Sequence, residues 1–231
     1  MTQRLTVAAL TVVRGHTADS GRRILDTVDL VIEPGAVVAI TGPSGAGKTT
    51  LLQAIAGLTR PATGSVAWGA LEISRLPQAS CDHWRRNTVG LVFQDFQLVG
   101  ELGTLANVML PASFDHWRTP ALLRDRAIAL LGRVGLDARA GRAASLSPGE
   151  QQRLAIARAL VRDPRLILAD EPTASLDTEN AVAIADLLVG TARQCGASLM
   201  MVSHDSGLLR RADHVLRLAA GRLMSNGGLA G

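Results

Sequence analysis

A glycine-rich stretch that ends in Lys-Thr carries the clearest chemical signal in the chain. It satisfies the pattern G-x-x-x-x-G-K-[ST], follows an apolar run at 37–40 that is typical of a buried strand, and precedes a helical pattern at 50–56. The N–H groups of such a loop and of the following helix attract phosphate. The stretch therefore predicts a site for the phosphates of a nucleotide. Its residues are Gly42, Pro43, Ser44, Gly45, Ala46, Gly47, Lys48, Thr49 and Thr50.

Lys48 is the single lysine among the 24 Lys and Arg residues of the chain. An ammonium group is a compact charge on a flexible stem, so it reaches the β- and γ-phosphates where a planar guanidinium would fit less well. The hydroxyl of Thr49 is placed to bind a Mg²⁺ ion that bridges the same phosphates. The alternative is a glycine-rich turn with an incidental lysine, and the strand-loop-helix context disfavours it.

Two adjacent carboxylates follow a second apolar run, at 166–169. Because side chains alternate along a strand, Asp170 and Glu171 are expected to do different work. We expect Asp170 to hold Mg²⁺ through a water molecule, and Glu171 to polarise the water that attacks the γ-phosphate. His204 follows a third apolar run, at 199–202, and is expected to face the γ-phosphate, although a lone histidine usually has a structural role.

Strand-like and helix-like segments alternate along most of the chain. Helical patterns at 121–134, 151–161 and 181–192 lie between or beside the apolar runs, which predicts an α/β fold around a parallel sheet. Residues 5–13 and 28–32 are rich in β-formers and flank a polar segment at 16–23, so we expect a small antiparallel sheet at the N-terminus.

The end of the chain reads as a strand at 215–218 that enters a turn at 219–222. The glycine-rich residues 225–231 are expected to be frayed.

Composition indicates a globular protein, with 47% hydrophobic and 19% charged residues in a chain of 231. The net charge is only +4, aromatic residues make up 3% and tyrosine is absent, so nucleic acid is not an expected partner. Cys81 and Cys195 have no metal-ligand spacing and are expected to be reduced thiols in a cytosolic setting. No apolar stretch approaches the roughly 20 residues that span a bilayer, so membrane association is expected through a partner.

Residues 146–153 read Leu-Ser-Pro-Gly-Glu-Gln-Gln-Arg and have the features of a helix start. Ser147 is the expected N-cap, Pro148 the first helical residue and Glu150 the third.

These motifs and their order resemble those of ATP-binding cassette (ABC) proteins over nearly the whole chain. The matching motifs are the Walker A loop Gly42 to Thr49, Gln94 in Val-Phe-Gln-Asp, the signature Leu-Ser-Pro-Gly-Glu, the Walker B strand with Glu171, the D-loop with Asp177, and the switch residue His204. Residues 90–99 and 105–111 resemble the branch that includes lipoprotein-releasing and macrolide-export ATPases and the cell-division cassette.

The resemblance implies a P-loop NTPase fold in a single domain, 1–231. Such a fold has a RecA-like parallel sheet core, an N-terminal antiparallel β subdomain and an inserted α-helical subdomain, here at approximately 96–150. The implied reaction converts ATP and water to ADP and phosphate, with Mg²⁺ as cofactor.

The resemblance also implies that two cassettes, here identical copies, close head to tail around ATP. The signature residues Ser147, Pro148, Gly149 and Glu150 would then act in trans on the nucleotide of the other copy. Gln94 would sense Mg²⁺ and the attacking water, and Asp177 would link the two sites. The segment 95–111 would meet an integral membrane permease, which would hold the chain at the cytoplasmic face of the membrane.

Two residues depart from the family pattern. Pro148 stands where a glycine is usual and removes one backbone N–H, although a first-turn residue has no intrahelical acceptor and the helix should stay stable. Residues 1–41 contain no Phe, Trp or Tyr to stack on adenine. Arg14 lies near the expected place and could stack its guanidinium on the base, which predicts looser selection of ATP over GTP.

Three function classes follow from the resemblance. A transport ATPase is the leading hypothesis, with export of a lipophilic compound, lipoprotein release and control of cell-wall hydrolysis all open. A soluble ABC ATPase that acts on DNA or ribosomes is disfavoured because the chain holds one uninterrupted cassette. A regulatory module without turnover is disfavoured because Gln94, Glu171 and His204 are all present.

Overall fold

Two β-sheets organise the chain in a computed structural model, which describes residues 2–14, 21–113 and 121–225. The strands are β1 (Leu5–Arg14), β2 (Arg22–Ile32), β3 (Val37–Thr41), β4 (Thr63–Trp68), β5 (Leu71–Glu72), β6 (Val89–Val92), β7 (Leu166–Asp170), β8 (Ser198–Val202), β9 (His214–Ala219) and β10 (Arg222–Ser225). The helices are α1 (Lys48–Ile55), α2 (Gln78–Thr88), α3 (Thr104–Met109), α4 (Ala121–Arg133), α5 (Pro148–Leu160), α6 (Thr178–Cys195) and α7 (Ser206–Leu209).

The larger sheet has the strand order β10-β9-β3-β8-β7-β6, and its pairs from β9 to β6 are parallel. Ile40 pairs with Val202, Val202 with Asp170, and Ala169 with Val92, so β3, β8, β7 and β6 end at nearly the same level. Because carboxyl ends of parallel strands meet at one edge, the loops that follow these four strands converge there.

Both faces of the larger sheet are buried, each against a different hydrophobic cluster. On one face Ile40, Leu168 and Met200 pack with α1 and the smaller sheet. On the other face Ala39, Ile167 and Met201 pack with α5 and α6. This alternation follows from the period of two in a strand, and it explains why the apolar runs at 37–40, 166–169 and 199–202 are continuous.

The smaller sheet is antiparallel and has the order β2-β1-β4-β5. The N-terminal antiparallel sheet is therefore present, but the sequence-based expectation was incomplete. β2 begins at Arg22 rather than at residue 28, and two further strands, β4 and β5, join from beyond the phosphate loop. Most of the polar segment predicted at 16–23 lies outside the described residues.

The α/β prediction is confirmed, and the predicted helices lie where the patterns indicated. α6 is longer than the predicted 181–192, because Asp177 caps it at the start and Gly196 ends it with a left-handed φ of 61°. β9 and the turn before β10 also match the prediction, whereas Ser225 belongs to β10 and the rest of the expected frayed tail is not described. Within 2–14, 21–113 and 121–225, no helix is long and apolar enough to cross a membrane.

Candidate active site

A cleft of about 1260 Å³ opens where the four parallel strands end. The phosphate loop, the carboxylates after β7 and the histidine after β8 all reach it. Its described lining residues are Val12, Val13, Arg14, Arg22, Ile24, Ser44, Gly45, Gly47, Lys48, Thr49, Thr50, Gln53, Thr59, Gln94, Asp170, Glu171, Thr173, Ala174, Val202, Ser203, His204, Asp205 and Ser206.

The phosphate loop closes tightly on the rest of the core at two glycines. A Cβ on Gly42, whose φ is 147°, would lie 1.9 Å from the carbonyl oxygen of Leu218. A Cβ on Gly47, whose φ is 101°, would lie 2.9 Å from the carbonyl oxygen of Ile24. No larger side chain fits at either place. α1 begins directly after Gly47, so the N–H groups of its first turn, which lack intrahelical acceptors, face the loop.

The lone lysine lies inside this loop. Nζ of Lys48 donates to the carbonyl oxygens of Gly42 at 2.7 Å and Pro43 at 3.1 Å, and the residue is only 9% exposed. The ammonium group is therefore held at the start of the loop by neutral carbonyl acceptors, and a bound phosphate can replace them with a stronger charged partner.

Asp170 is a buried carboxylate at the end of β7 with an unused acceptor. Its residue exposure is 7%, and its Oδ1 has no hydrogen-bond partner within the described structure. Burial raises the pKa of Asp170, while a hydrogen bond from Thr49 and the charge of Lys48 oppose that change. A buried carboxylate oxygen without a partner beside a threonine hydroxyl is the donor set that Mg²⁺ prefers, so these residues fit the ion.

Glu171 has a strained backbone at the centre of the cleft. Its φ is 44°, a left-handed value that is unfavourable for a non-glycine residue. The conformation is held by its N–H, which donates to the carbonyl oxygen of Val202 at 2.9 Å, and by its carbonyl oxygen, which accepts from the N–H of Ala174 at 3.2 Å. Glu171 lines the cleft together with Asp170.

Burial raises the pKa of the Glu171 carboxyl, although the nearby His204 and Lys48 partly offset the rise. A carboxylate with a raised pKa is a stronger proton acceptor than an ordinary one. Glu171 is therefore suited to accept a proton from water.

His204 is fixed at the end of β8 by its neighbours. The buried Ser203 donates its N–H to the carbonyl oxygen of Ile40 and accepts a hydrogen bond from the N–H of Asp205 at 3.0 Å. The carboxylate of Asp205 in turn caps α7, with 2.6 Å to the N–H of Gly207. The imidazole projects into the cleft between these residues, and its Nε2 lies 3.5 Å from Oε1 of Glu171.

Gln94 reaches the same cleft from the loop after β6, on the side of Asp170 and Glu171. Its residue is exposed, so the amide is accessible to a ligand. The structure thus brings together the phosphate loop, Asp170, Glu171, Gln94 and His204, as the sequence patterns indicated.

The signature residues lie elsewhere and form a helix start. Oγ of Ser147 accepts from the N–H of Glu150, and the Glu150 carboxylate accepts from the N–H of Ser147 at 2.8 Å, which together make the predicted capping box. These hydrogen bonds lower the pKa of Glu150. Pro148 occupies the first helical position as expected. None of residues 146–153 is among the described residues that line the cleft.

Asp177 lies close to the signature helix, although its own contacts are local. Its carboxylate accepts from the backbone N–H of Asn180 at 2.9 Å and from Nδ2 of Asn180 at 2.7 Å, and these bonds lower its pKa. The Asn180 side chain also borders Gly149, where a Cβ would lie 3.0 Å from its Oδ1. The D-loop cap and the start of α5 are therefore adjacent within one chain.

Arg14 lines the cleft from the end of β1. It is exposed and pairs across β1 and β2 with Arg22, which also lines the cleft. Sequence reasoning missed Arg22, because its position depends on strand register. It also missed Gln53, although Gln53 follows Thr49 by one helical turn and that spacing places both on one face of α1.

Comparisons with known proteins agree with this geometry. A family model described as ABC transporter matches residues 25–174. Among curated proteins, the lipoprotein-releasing system ATP-binding protein LolD of Syntrophotalea carbinolica is 43% identical over 201 residues, which cover 87% of this chain and 88% of that protein. The uncharacterized ABC transporter ATP-binding protein Rv0986 of Mycobacterium tuberculosis is 39% identical over 210 residues, which cover 89% and 83%.

Among solved structures, the post-hydrolysis dimer of the ATP-binding cassette MJ0796, bound to ADP and Pi, superposes with a TM-score of 0.87 at 32% identity. The superposition covers 97% of this chain and all of that one. Since the family model spans more than half of the chain and the relatives span most of it, the chain belongs to the ABC transporter family as an ATP-binding subunit, an ATPase that powers transport.

Proposed function

We propose that two identical copies of this chain close around two ATP molecules and drive an integral membrane permease from the cytoplasmic face of the membrane. One observation carries the proposal. The cleft gathers the phosphate loop, Asp170, Glu171 and His204, whereas the exposed signature residues Ser147 and Pro148 lie outside it. A second copy in head-to-tail arrangement would supply the missing face of the site.

Within one copy, the described side chains have distinct roles in hydrolysis. Lys48 binds the β- and γ-phosphates once its ammonium group leaves the carbonyl oxygens of the loop. Glu171 accepts a proton from the attacking water, and its raised pKa favours that step. His204, beside Glu171, holds the γ-phosphate and fixes the position of the water.

Magnesium fits the same end of the cleft. Thr49, Gln94 and Asp170 would hold the ion, and the unpartnered Oδ1 of Asp170 supports this assignment. When bound, the ion neutralises phosphate charge during transfer.

The signature residues would complete the nucleotide site of the other copy. Ser147, Gly149 and the N-terminal end of α5 offer a hydroxyl, an N–H and a positive helix end to a γ-phosphate. Glu150 keeps Ser147 in place through the capping box. Asp177 caps α6 beside Gly149 and is in a position to transmit closure from one site to the other.

The permease is expected to bind the groove formed by β6, the C-terminal half of α5 and the end of segment 95–111. This groove of about 300 Å³ has an apolar floor that includes Leu91, Phe93 and Leu110. Four arginines line it, namely Arg85, Arg86, Arg158 and Arg162, and no carboxylate does so among the described residues. Arg85 also pairs with the carboxylate of Asp82. The apolar floor therefore favours a docking segment of the permease that presents the apolar face of a helix to the groove.

The names of the relatives favour one class of transported substrate. Several proteins that match most of this chain at about 40% identity are named for a lipoprotein-releasing system. We therefore propose that the permease extracts or exports a lipid-modified or lipophilic substrate. The substrate contacts the permease rather than this chain.

Affinity capture tests the proposal. A tagged Glu171→Gln variant, loaded with ATP and Mg²⁺, is used as bait on detergent-solubilised membranes of the source cell, and co-purifying proteins are identified by mass spectrometry. The expected result is a stoichiometric polytopic subunit with a large extracytoplasmic domain. The matched control adds Leu110→Asp in the groove, which should abolish capture of that subunit and retain ATP binding. Recovery of only DNA- or ribosome-associated proteins would instead favour a soluble ABC ATPase.

A further inference from the structure

The guanidinium of Arg158 joins α5 to the loop that carries Gln94. Its Nη2 donates to the carbonyl oxygen of Phe96 at 2.7 Å, and its Nη1 donates to the carbonyl oxygen of Gln97. Among the described residues it has no carboxylate partner, so both branches of the planar group are used for backbone carbonyls of one turn. A lysine in this place could not reproduce two donors in fixed fork geometry.

The turn that receives these bonds is unfavourable by itself. Phe96 has φ 54° and Gln97 has φ 49°, two consecutive left-handed residues of which neither is glycine. Within the turn, the N–H of Phe96 donates to the carbonyl oxygen of Phe93 at 3.2 Å. We call residues 93–97 the Gln94 turn, because Gln94 projects from it into the cleft. The Arg158 bonds satisfy the two carbonyls that the left-handed conformation turns toward α5.

Arg158 is also on the helix that begins with the signature motif. It lies ten residues after Pro148, which corresponds to about 15 Å along α5. Near Arg158, α5 and β6 are in close contact, since a Cβ on Gly90 would lie 2.6 Å from the carbonyl oxygen of Ala159. β6, the Gln94 turn and α5 therefore form one continuous unit with Gln94 at one end and the signature residues at the other.

We propose that Arg158 is a positioning residue for hydrolysis, which holds the Gln94 turn in its left-handed conformation and so keeps Gln94 at the reaction site and in fixed relation to the signature helix. Arg158 does not touch the nucleotide and acts through Gln94. Because Arg158 also lines the groove proposed for the permease, a segment bound there would act on this contact directly. The inference rests on the proposed role of Gln94 in ATP hydrolysis.

A double-mutant cycle tests whether Arg158 acts through Gln94. ATP hydrolysis is measured for wild type, Arg158→Lys, Gln94→Ala and the double variant, in the full chain and with its permease. Loss of one charge-assisted hydrogen bond should lower kcat about ten-fold in Arg158→Lys. KM for ATP should stay within about three-fold, because the phosphate loop is untouched. The double variant should lie within about two-fold of Gln94→Ala, since Gln94 is then already lost.

Arg126→Lys is the matched control. Arg126 also places Nη2 near a backbone carbonyl of α5, that of Leu160 at 3.4 Å, and near the carboxylate of Asp163 at 2.9 Å, but it has no contact with the Gln94 turn. Its kcat is expected to remain within about two-fold of wild type.

A second variant alters the Gln94 turn itself and leaves α5 unchanged, in case Arg158→Lys does not fold. Gln97→Val introduces a β-branched residue that rarely adopts φ near 49°. It should lower kcat with little change in KM, and in the Gln94→Ala background it should change kcat by no more than about two-fold. Wild-type kcat in Arg158→Lys or in Gln97→Val, or effects that multiply with Gln94→Ala, would overturn the proposal. If Gln94→Ala itself has no effect, the proposed role of Gln94 fails instead.

Discussion

Nε2 of His204 lies 3.5 Å from Oε1 of Glu171, although the two residues reach the cleft from different strands. The side chain of His204 is 54% exposed and that of Glu171 is 18% exposed. The histidine is therefore the more solvent-accessible member of the pair, in agreement with its proposed contact with the γ-phosphate.

Replacement of this histidine should slow chemistry and leave binding nearly intact. His204→Ala removes the group that we propose to face the transferred phosphate, so we expect kcat to fall roughly 100-fold with a change of less than about three-fold in the dissociation constant for ATP. Steady-state hydrolysis and nucleotide titration measure the two effects. His214→Ala, at the start of β9 and outside the cleft, is the control and should behave as wild type.

The buried carboxylate at the end of β7 should control the requirement for metal. Asp170→Asn retains size but loses the charge that the ion needs, so the Mg²⁺ concentration for half-maximal hydrolysis should rise about ten-fold or more. Binding of ATP in the presence of EDTA should not weaken. A Mg²⁺ titration of hydrolysis measures the first effect, and an unchanged midpoint would contradict the assignment. Asp186→Asn is the control, because Asp186 is exposed and pairs with Arg211 outside the cleft.

The part of the cleft near Arg14 should accept guanine as well as adenine. With Arg14 in place of an aromatic residue, we expect ATP and GTP to be hydrolysed with kcat/KM values within about ten-fold of each other. Arg14→Ala should weaken ATP binding about five-fold, because a guanidinium stacked on a base contributes modestly. The control is Arg23→Ala, since Arg23 is exposed, pairs with Asp26 and does not line the cleft. Unchanged ATP affinity in Arg14→Ala would refute the stacking.

The proline in the signature should have little effect on turnover. Pro148 lies within an intact capping box, between Ser147 and Glu150, at a position whose N–H has no intrahelical acceptor. Pro148→Gly should therefore change hydrolysis by no more than a few-fold and lower thermal stability slightly, because glycine increases the freedom of the unfolded chain. A rise in hydrolysis of two orders of magnitude would mean that the missing N–H limits trans contact.

Local spacing explains what could be predicted from the sequence. Three features each depend on a few consecutive residues: the phosphate loop, the carboxylates at the end of β7 and the capping box at Ser147. Their chemistry can therefore be predicted without a structure. Continuous apolar runs also reveal buried parallel strands. The place of His204 followed from a strand end and the family pattern together.

Long-range pairing explains what could not be predicted. β4 and β5 join the N-terminal sheet from beyond α1, and no periodicity within residues 63–72 identifies their partner. Arg22 reaches the cleft only because β1 and β2 pair in one register. The hydrogen bonds of Arg158 join it to Gln97 and Phe96, which lie 61 and 62 positions earlier in the chain. Both partners have left-handed conformations, and no sequence pattern encodes such contacts.

The most direct test of the central claim is the mass of the Glu171→Gln variant in solution with ATP and Mg²⁺. Loss of the proposed general base should preserve nucleotide binding and stop hydrolysis, so the closed form should accumulate. Light scattering coupled to size-exclusion chromatography is predicted to give the 24.2 kDa monomer without ATP and twice that mass with it. Adding Ser147→Arg, which blocks the trans contact, should restore the monomer. A Glu171→Gln chain that stays at 24.2 kDa with saturating ATP, alone and with its permease, would contradict the closing-dimer account.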